Sequence, residues 1–240
     1  MVTGASRGIG AAIARMLAAE GARVTLLSRT GVASLAGETH AVAADVGDSA
    51  QVERAFAAAR AKFGPVGILV NNAGQAETAP FTKLALETWQ RMLAVNLTGT
   101  FLCTQAALPD MVTARAGRIV NIASTAALQG FRYGAAYAAA KHGVLGLTRS
   151  LALEVADQGI TVNAVCPGYV ETDMMLAGIA NVVARTGRTP EQARAFFAAQ
   201  NPQNRIVQPE EVAATVRWLL SEDAASVNGA AIPMSGGDVT

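Results

Sequence analysis

Only two cysteines, Cys103 and Cys166, occur in 240 residues, so a hydrophobic core and not a disulfide framework must hold the chain. Charge is sparse as well. Charged residues make up 15%, and 19 Lys+Arg against 18 Asp+Glu leave a net charge of +1. That excludes a nucleic-acid binder working by electrostatics, because no basic surplus exists to displace phosphate counterions. Aromatics are few at 5%, yet 51% of residues are hydrophobic, which excludes disorder. No uncharged apolar run reaches the roughly 18 residues a membrane helix needs; the nearest candidates are broken by Lys141, Arg149 or Glu154. The two histidines, His40 and His142, lack Cys or acidic neighbours at ligand spacing and make no metal site. Met1 to Arg29 carries arginines and a single acid, Glu20, as a transit peptide would, but four glycines in its first 21 positions argue against a targeting helix.

No linker, charge run or repeat divides the sequence, which therefore reads as one domain over residues 1–240. Apolar runs without alternation suit strands covered on both faces: Arg23–Leu27, Gly67–Val70, Arg118–Ile122 and Ile160–Val165, with weaker ones at Met1–Thr3, Thr39–Val42 and Ala230–Pro233. They alternate with helical stretches at Ile9–Ala19, Val52–Lys62, Trp89–Ala107 and Ala135–Val155, which predicts βαβ crossovers. The fold class is α/β: a doubly wound, Rossmann-type domain with a mostly parallel sheet of seven strands. Gly21 and Gly64-Pro65 supply helix stops. Thr189-Pro190-Glu191-Gln192 has capping-box spacing and opens a helix over about Pro190–Ala199. Residues 173–205 are then a helical insertion expected over the carboxyl ends of the strands, where such sheets bind ligands. Its Met174, Met175, Leu176, Phe196 and Phe197 suit either helix packing or an apolar substrate lid.

Thr3-Gly4-Ala5-Ser6-Arg7-Gly8-Ile9-Gly10 follows the first strand and opens the first helix. Glycines there let backbone approach a pyrophosphate at the positive helix N-terminus. An acid at the end of the second strand would accept the ribose hydroxyls of NAD, but the chain reads Ser28-Arg29-Thr30 and has no acid from Gly21 until Glu38. Arg7 and Arg29 instead suit a guanidinium clamp on a 2′-phosphate, which makes NADP(H) the expected cofactor. Asp45-Val46 after the third strand is placed to meet the adenine or, alternatively, to cap a helix.

Tyr137 and Lys141 are four apart and share one helix face. A nearby ammonium favours the ionised phenol, which predicts a lowered Tyr137 pKa and a proton donor or acceptor for a carbonyl–alcohol pair. Ser124, just past the fifth strand, is placed to hydrogen-bond the same oxygen.

With these residues in this order the chain resembles a short-chain dehydrogenase/reductase over essentially its whole length. The carriers are Thr3-Gly4 through Gly8-Ile9-Gly10, Asn71-Asn72-Ala73-Gly74, Asn96, Ser124, Tyr137 with Lys141, and Pro167-Gly168 followed by Thr172. The resemblance implies that Tyr137 is the general acid/base, that Ser124 orients the substrate carbonyl, and that Lys141 tunes Tyr137 and holds the nicotinamide ribose. It implies that Asn96 orders a relay water, that Asn72, Ala73 and Gly74 steady the adenine-side wall, and that Thr172 binds the carboxamide, with Pro167 and Gly168 beside it. Basic residues at Arg7 and Arg29 go with NADP(H) in that family. Two departures stand out: only Met1-Val2-Thr3 precede Gly4, which predicts a stub of a first strand, and Gly31 to Gly37 is short for the helix usually found there.

Gly117–Thr125 and Asn163–Thr172 look closest to polyketide ketoreductases and 3-oxoacyl-thioester reductases. The expected reaction is reduction of a β-keto group, carrier-linked or CoA-linked, to a secondary alcohol. Oxidation of a hydroxyacyl-CoA or simple alcohol is the alternative, and a catalytically silent NADP-sensing protein is a rival of another class. Arg185, Arg188 and Arg194 are either phosphate-pairing groups or solvated surface arginines. The resemblance further implies a homodimer or homotetramer; composition and reduced cysteines suit the cytoplasm, and neither a membrane nor a nucleic-acid partner is expected.

Overall fold

The computed structural model describes residues 1–32 and 35–239. Seven strands form one parallel sheet in the order β3-β2-β1-β4-β5-β6-β7. They are β1 (Val2–Thr3), β2 (Val24–Ser28), β3 (Thr39–Ala43), β4 (Ile68–Asn71), β5 (Gly117–Ile122), β6 (Ile160–Pro167) and β7 (Ala231–Met234). The near-continuous Val, Leu and Ile runs of β2, β4, β5 and β6 belong to strands buried on both faces. The direction of winding reverses between β1 and β4, and that reversal opens a crevice at their carboxyl ends.

Helices α1 (Gly8–Ala19) and α8 (Pro209–Leu220) cover one face; α2 (Ser49–Phe63), α4 (Gly99–Ala114) and α5 (Ala135–Glu154) cover the other. Ile13, Leu26 and Val216 anchor the first core, and Phe56, Leu69, Met111 and Ile119 the second. The single helix expected from Trp89 is in fact three pieces: α3 (Leu86–Leu93), a π turn (Ala94–Thr98) and α4. Gly21, at φ 81°, and Gly64, at φ 83°, end α1 and α2 in backbone that side chains disfavour. Asp48 caps α2 by accepting from the Gln51 amide at 3.0 Å, so helix capping does not fall to Asp45. Asp45 instead accepts from Gly47 N at 2.9 Å. β1 is the two-residue stub expected. Of the short stretch after β2, Ala33 and Ser34 lie outside the described residues.

Between β6 and α8 lie α6 (Asp173–Thr186) and α7 (Pro190–Ala198). The Thr189–Gln192 capping box starts α7 with Pro190 in its first turn. Met175, Ile179, Ala193 and Ile206, with Phe197 beside them, form a small core of their own. The hydrophobic residues of this insertion therefore divide: Met175 and Phe197 pack inward, while Met174, Leu176 and Phe196 are exposed.

Candidate active site

The carboxyl ends of β1, β4, β5 and β6 deliver the glycine turn, Asn72–Gly74, Ser124 and Pro167–Thr172 to one edge of the sheet. Gly4 and Gly8 have φ 65° and 54°, where a side chain is strained. A Cβ at Gly4 would lie 2.8 Å from Asn72 Nδ2, and one at Gly10 would collide with Gly4 O. Asn72 ties the turn to β4: its Nδ2 donates to Thr3 O at 3.0 Å and to Gly4 O at 3.1 Å, while its N–H and that of Ala73 donate to Thr3 Oγ1. Arg7 begins α1 with extended backbone, and no side chain caps the helix. Its first-turn amides, with Ser6 and Ile9 alongside, thus face outward as an anion cradle. This backbone and the absence of an acid after β2 fit a phosphate-bearing dinucleotide.

Arg29 is exposed at the end of β2. Arg7 lies 3.7 Å from Asp173. Val46 is buried and packs against Gly99, whose missing Cβ would sit 2.6 Å from Val46 Cγ2. Thr172 precedes α6, its hydroxyl donates to Val170 O at 3.2 Å, and its methyl closes over Gly8. Gly168 N donates to Met234 O at 3.1 Å, fixing the Pro167-Gly168 bend on β7.

Tyr137 and Lys141 lie one turn apart on α5, and Ser124 follows β5. Lys141 is 4% exposed; its Nζ donates to Ile122 O at 2.8 Å and sits 5.7 Å from the Tyr137 ring centroid. Burial pulls the ammonium down to a pKa of about 8, because an apolar surrounding disfavours the charged form. The expected lowering of the Tyr137 pKa is corrected by the structure. Burial pushes the phenol above its ordinary value and outweighs the opposing pull of the Ser124 hydroxyl.

Asn96 lies in the π turn, fully buried. Its Nδ2 donates to Met92 O and Gln75 O, both at 2.9 Å, and its Oδ1 accepts from Gln75 N at 3.2 Å. A Cβ at Gly74 would fall 2.8 Å from Asn96 Oδ1 and 3.7 Å from Lys141 Nζ, so a glycine there lets both groups border one space.

Sequence reasoning passed over several neighbours. Phe131 sets its ring edge-on to Tyr137 at 6.3 Å between centroids, and a Cβ at Gly134 would penetrate that ring. Asn71 is one link in a buried series. Its Nδ2 donates to Thr104 Oγ1 at 3.0 Å and to Asn121 Oδ1 at 2.9 Å, and Asn121 Nδ2 donates to Thr148 Oγ1 at 2.9 Å. These bonds join α4, β4, β5 and α5 beneath the site. Residue type alone gives no sign of them, since the partners meet only through strand register. Arg194 is engaged in a two-point ion pair with Glu171, and Arg188 lies over the Phe196 ring at 5.4 Å. Cys103 and Cys166 are free, buried thiols, as small apolar residues would be.

The family model for short chain dehydrogenases matches residues 1–182. The 3-oxoacyl-(acyl-carrier-protein) reductase FabG of Vibrio cholerae is 39% identical, with 99% of this chain and 95% of the relative covered. The D-beta-hydroxybutyrate dehydrogenase of Rhizobium meliloti is 36% identical over 99% of this chain and 96% of its own length. Among solved structures, an actinorhodin polyketide ketoreductase variant with NADPH superposes with a TM-score of 0.92 at 40% identity, covering 98% of this chain and 95% of that one. A parallel sheet in this order, a glycine turn at the crevice, the Ser124–Tyr137–Lys141 group and full-length similarity all agree, and the chain belongs to the short-chain dehydrogenase/reductase family.

Proposed function

We propose that this protein is an NADPH-dependent ketoreductase that converts the β-keto group of an acyl thioester or polyketide-like substrate to a secondary alcohol. The observation that carries the reading is the gathering of Ser124, Tyr137 and the buried Lys141 at the same sheet edge as the glycine turn. When bound, the reduced nicotinamide supplies a hydride to the carbonyl carbon. Tyr137 gives its phenolic proton to the carbonyl oxygen as charge develops there, and Ser124 donates a hydrogen bond to the same oxygen. Lys141, at a pKa of about 8, holds a proton it can exchange near neutral pH, and Asn96 borders the space through which that proton reaches solvent. Gly4, Ser6, Gly8, Ile9 and Gly10 cradle the pyrophosphate, Arg7 and Arg29 meet the 2′-phosphate, Asp45 and Val46 flank the adenine, and Thr172 holds the carboxamide.

Residues 173–205 act as the lid. The exposed Met174, Leu176 and Phe196 support an apolar substrate beneath it. Association into homodimers or homotetramers through the outer faces of α4 and α5 accounts for Phe101, 44% exposed, and Leu153, 84% exposed. A cytoplasmic site of action accords with two unpaired cysteines.

Initial rates with NADPH and NADH against acetoacetyl-CoA and a panel of simple ketones test the substrate. Rapid NADPH oxidation with the thioester is the expected result, and preference for small ketones overturns the thioester assignment. Tyr137→Phe is expected to keep NADPH binding and lose on the order of 10²–10⁴ in turnover; full activity in that variant removes Tyr137 from the mechanism. The same residues run the reverse oxidation, which the likeness to a D-beta-hydroxybutyrate dehydrogenase supports as a second reading. Faster turnover of a 3-hydroxyacyl substrate with an oxidised nucleotide would select it.

A further inference from the structure

Two acids flank Thr172, and each reaches a different part of the molecule. Glu171 is fixed: its N–H donates to Val207 O at 2.9 Å, and its carboxylate is gripped at both oxygens by Arg194 of α7. Asp173, the first residue of α6, turns instead toward the glycine turn. There Arg7 Nη1 meets Asp173 Oδ2 at 3.7 Å, with the two side chains 73% and 62% exposed. Thr172 Cγ2 would lie 3.0 Å from a Cβ at Gly8, so the start of the insertion sits directly on the turn that carries Arg7.

The two pairs differ in kind. A single long contact between exposed groups is easily exchanged, whereas a two-point guanidinium–carboxylate pair is not. Asp173 also lies in the first turn of α6, at the helix's positive end, and keeps that favourable contact when Arg7 leaves it. Arg7 is therefore the mobile partner.

We propose that Asp173 is a cofactor-discriminating residue: it competes with the 2′-phosphate of NADP(H) for Arg7, weakening NADPH binding while leaving NADH binding unchanged. The inference rests on the reading that Arg7 meets the 2′-phosphate. A reciprocal consequence follows from linkage, since nucleotide that takes Arg7 also releases one tether between the glycine turn and α6.

Equilibrium titration of NADPH and NADH by nucleotide fluorescence tests this in Asp173→Asn, Arg7→Ala and the double variant. Asp173→Asn is expected to tighten NADPH by about two- to fivefold, the scale of an exposed ion pair, without changing NADH. In the Arg7→Ala background the same substitution is expected to do nothing to the NADPH/NADH ratio, because the partner is gone. Equal tightening of both nucleotides would mean general repulsion of the pyrophosphate and overturns the proposal. So does an unchanged NADPH affinity, or an NADPH-specific gain that persists without Arg7. If Arg7→Ala alone leaves discrimination between the nucleotides intact, the assignment of Arg7 to the phosphate fails first, and the competition fails with it.

Discussion

Replacing Lys141 by methionine keeps the length of the side chain and removes its charge, so it isolates what burying an ammonium costs this fold. The folded value of about 8 lies below the ordinary 10.5. Between those values the unfolded chain binds more protons than the native one, and stability must rise with pH. The penalty is complete below pH 8, where it amounts to about 3 kcal/mol at 1.36 kcal/mol per pKa unit. It is relieved as pH climbs from 8 toward 10.5. Relative to Lys141→Met, the natural protein should therefore gain about 1 kcal/mol between pH 7 and 9, or roughly 2–4 °C in Tm for a chain of this size.

Cys103 and Cys166, raised to about 12 and 11, work in the opposite direction above their ordinary 9.0. Native protein there holds more protons than unfolded, and their contribution is lost as pH rises. Both proteins contain them, so the difference between the two urea-melt series largely removes their effect. A constant offset from losing the Ile122 carbonyl bond leaves the slope untouched. Parallel pH profiles for the two proteins would refute the reasoning.

On the proposed clamp, Arg29→Asp should lower the NADPH/NADH preference by about tenfold or more, since repulsion would replace a charge-assisted hydrogen bond; an unchanged ratio of kcat/KM values removes Arg29 from the clamp. Gly134→Ala should push the 40%-exposed Phe131 ring away from Tyr137 at little cost to Tm while altering the ketone KM several-fold and sparing that of NADPH. Identical ketone kinetics would deny Phe131 a place at the site. Asn121→Leu should destabilise by about 1–3 kcal/mol in urea, because it strips a partner from both Asn71 and Thr148 inside the core; a neutral result would show that the series adjusts without it.

The sheet is legible in sequence chiefly through β2, β4, β5 and β6, which are covered on both sides and read as near-continuous apolar runs. Tyr137, Lys141 and the glycine turn are legible because helix periodicity and turn chemistry put them in fixed local relation. Other features needed the fold. Nothing in Ala94–Thr98 marks a π turn, since its residues serve an ordinary helix equally well. The direction of the Tyr137 shift depends on how deeply the phenol is enclosed, a sum over many distant segments. Arg194 looks like any surface arginine until Glu171, 23 residues away, comes alongside it. By contrast, α8 carries a fainter cue: Gln208-Pro209-Glu210-Glu211 puts proline in the first turn, with Glu211 accepting from the Gln208 amide at 2.7 Å. Gln in place of Ser or Thr at the cap explains why it is passed over.

The π turn has a consequence for chain length. Closing i to i+5, as Gly99 N does on Ala94 O, consumes about one residue more than an α turn. Every residue after it is thereby rotated by roughly 100° relative to an unbroken helix. That phase shift lets Met92 point inward before it while Thr100, Cys103, Thr104, Ala107 and Met111 point inward after it. A homologue lacking one residue between 94 and 98 would recover a regular helix and bury the same stripe. A single-residue gap inside this helix would thus mark, in an alignment alone, a relative in which the π turn has closed to an ordinary α turn.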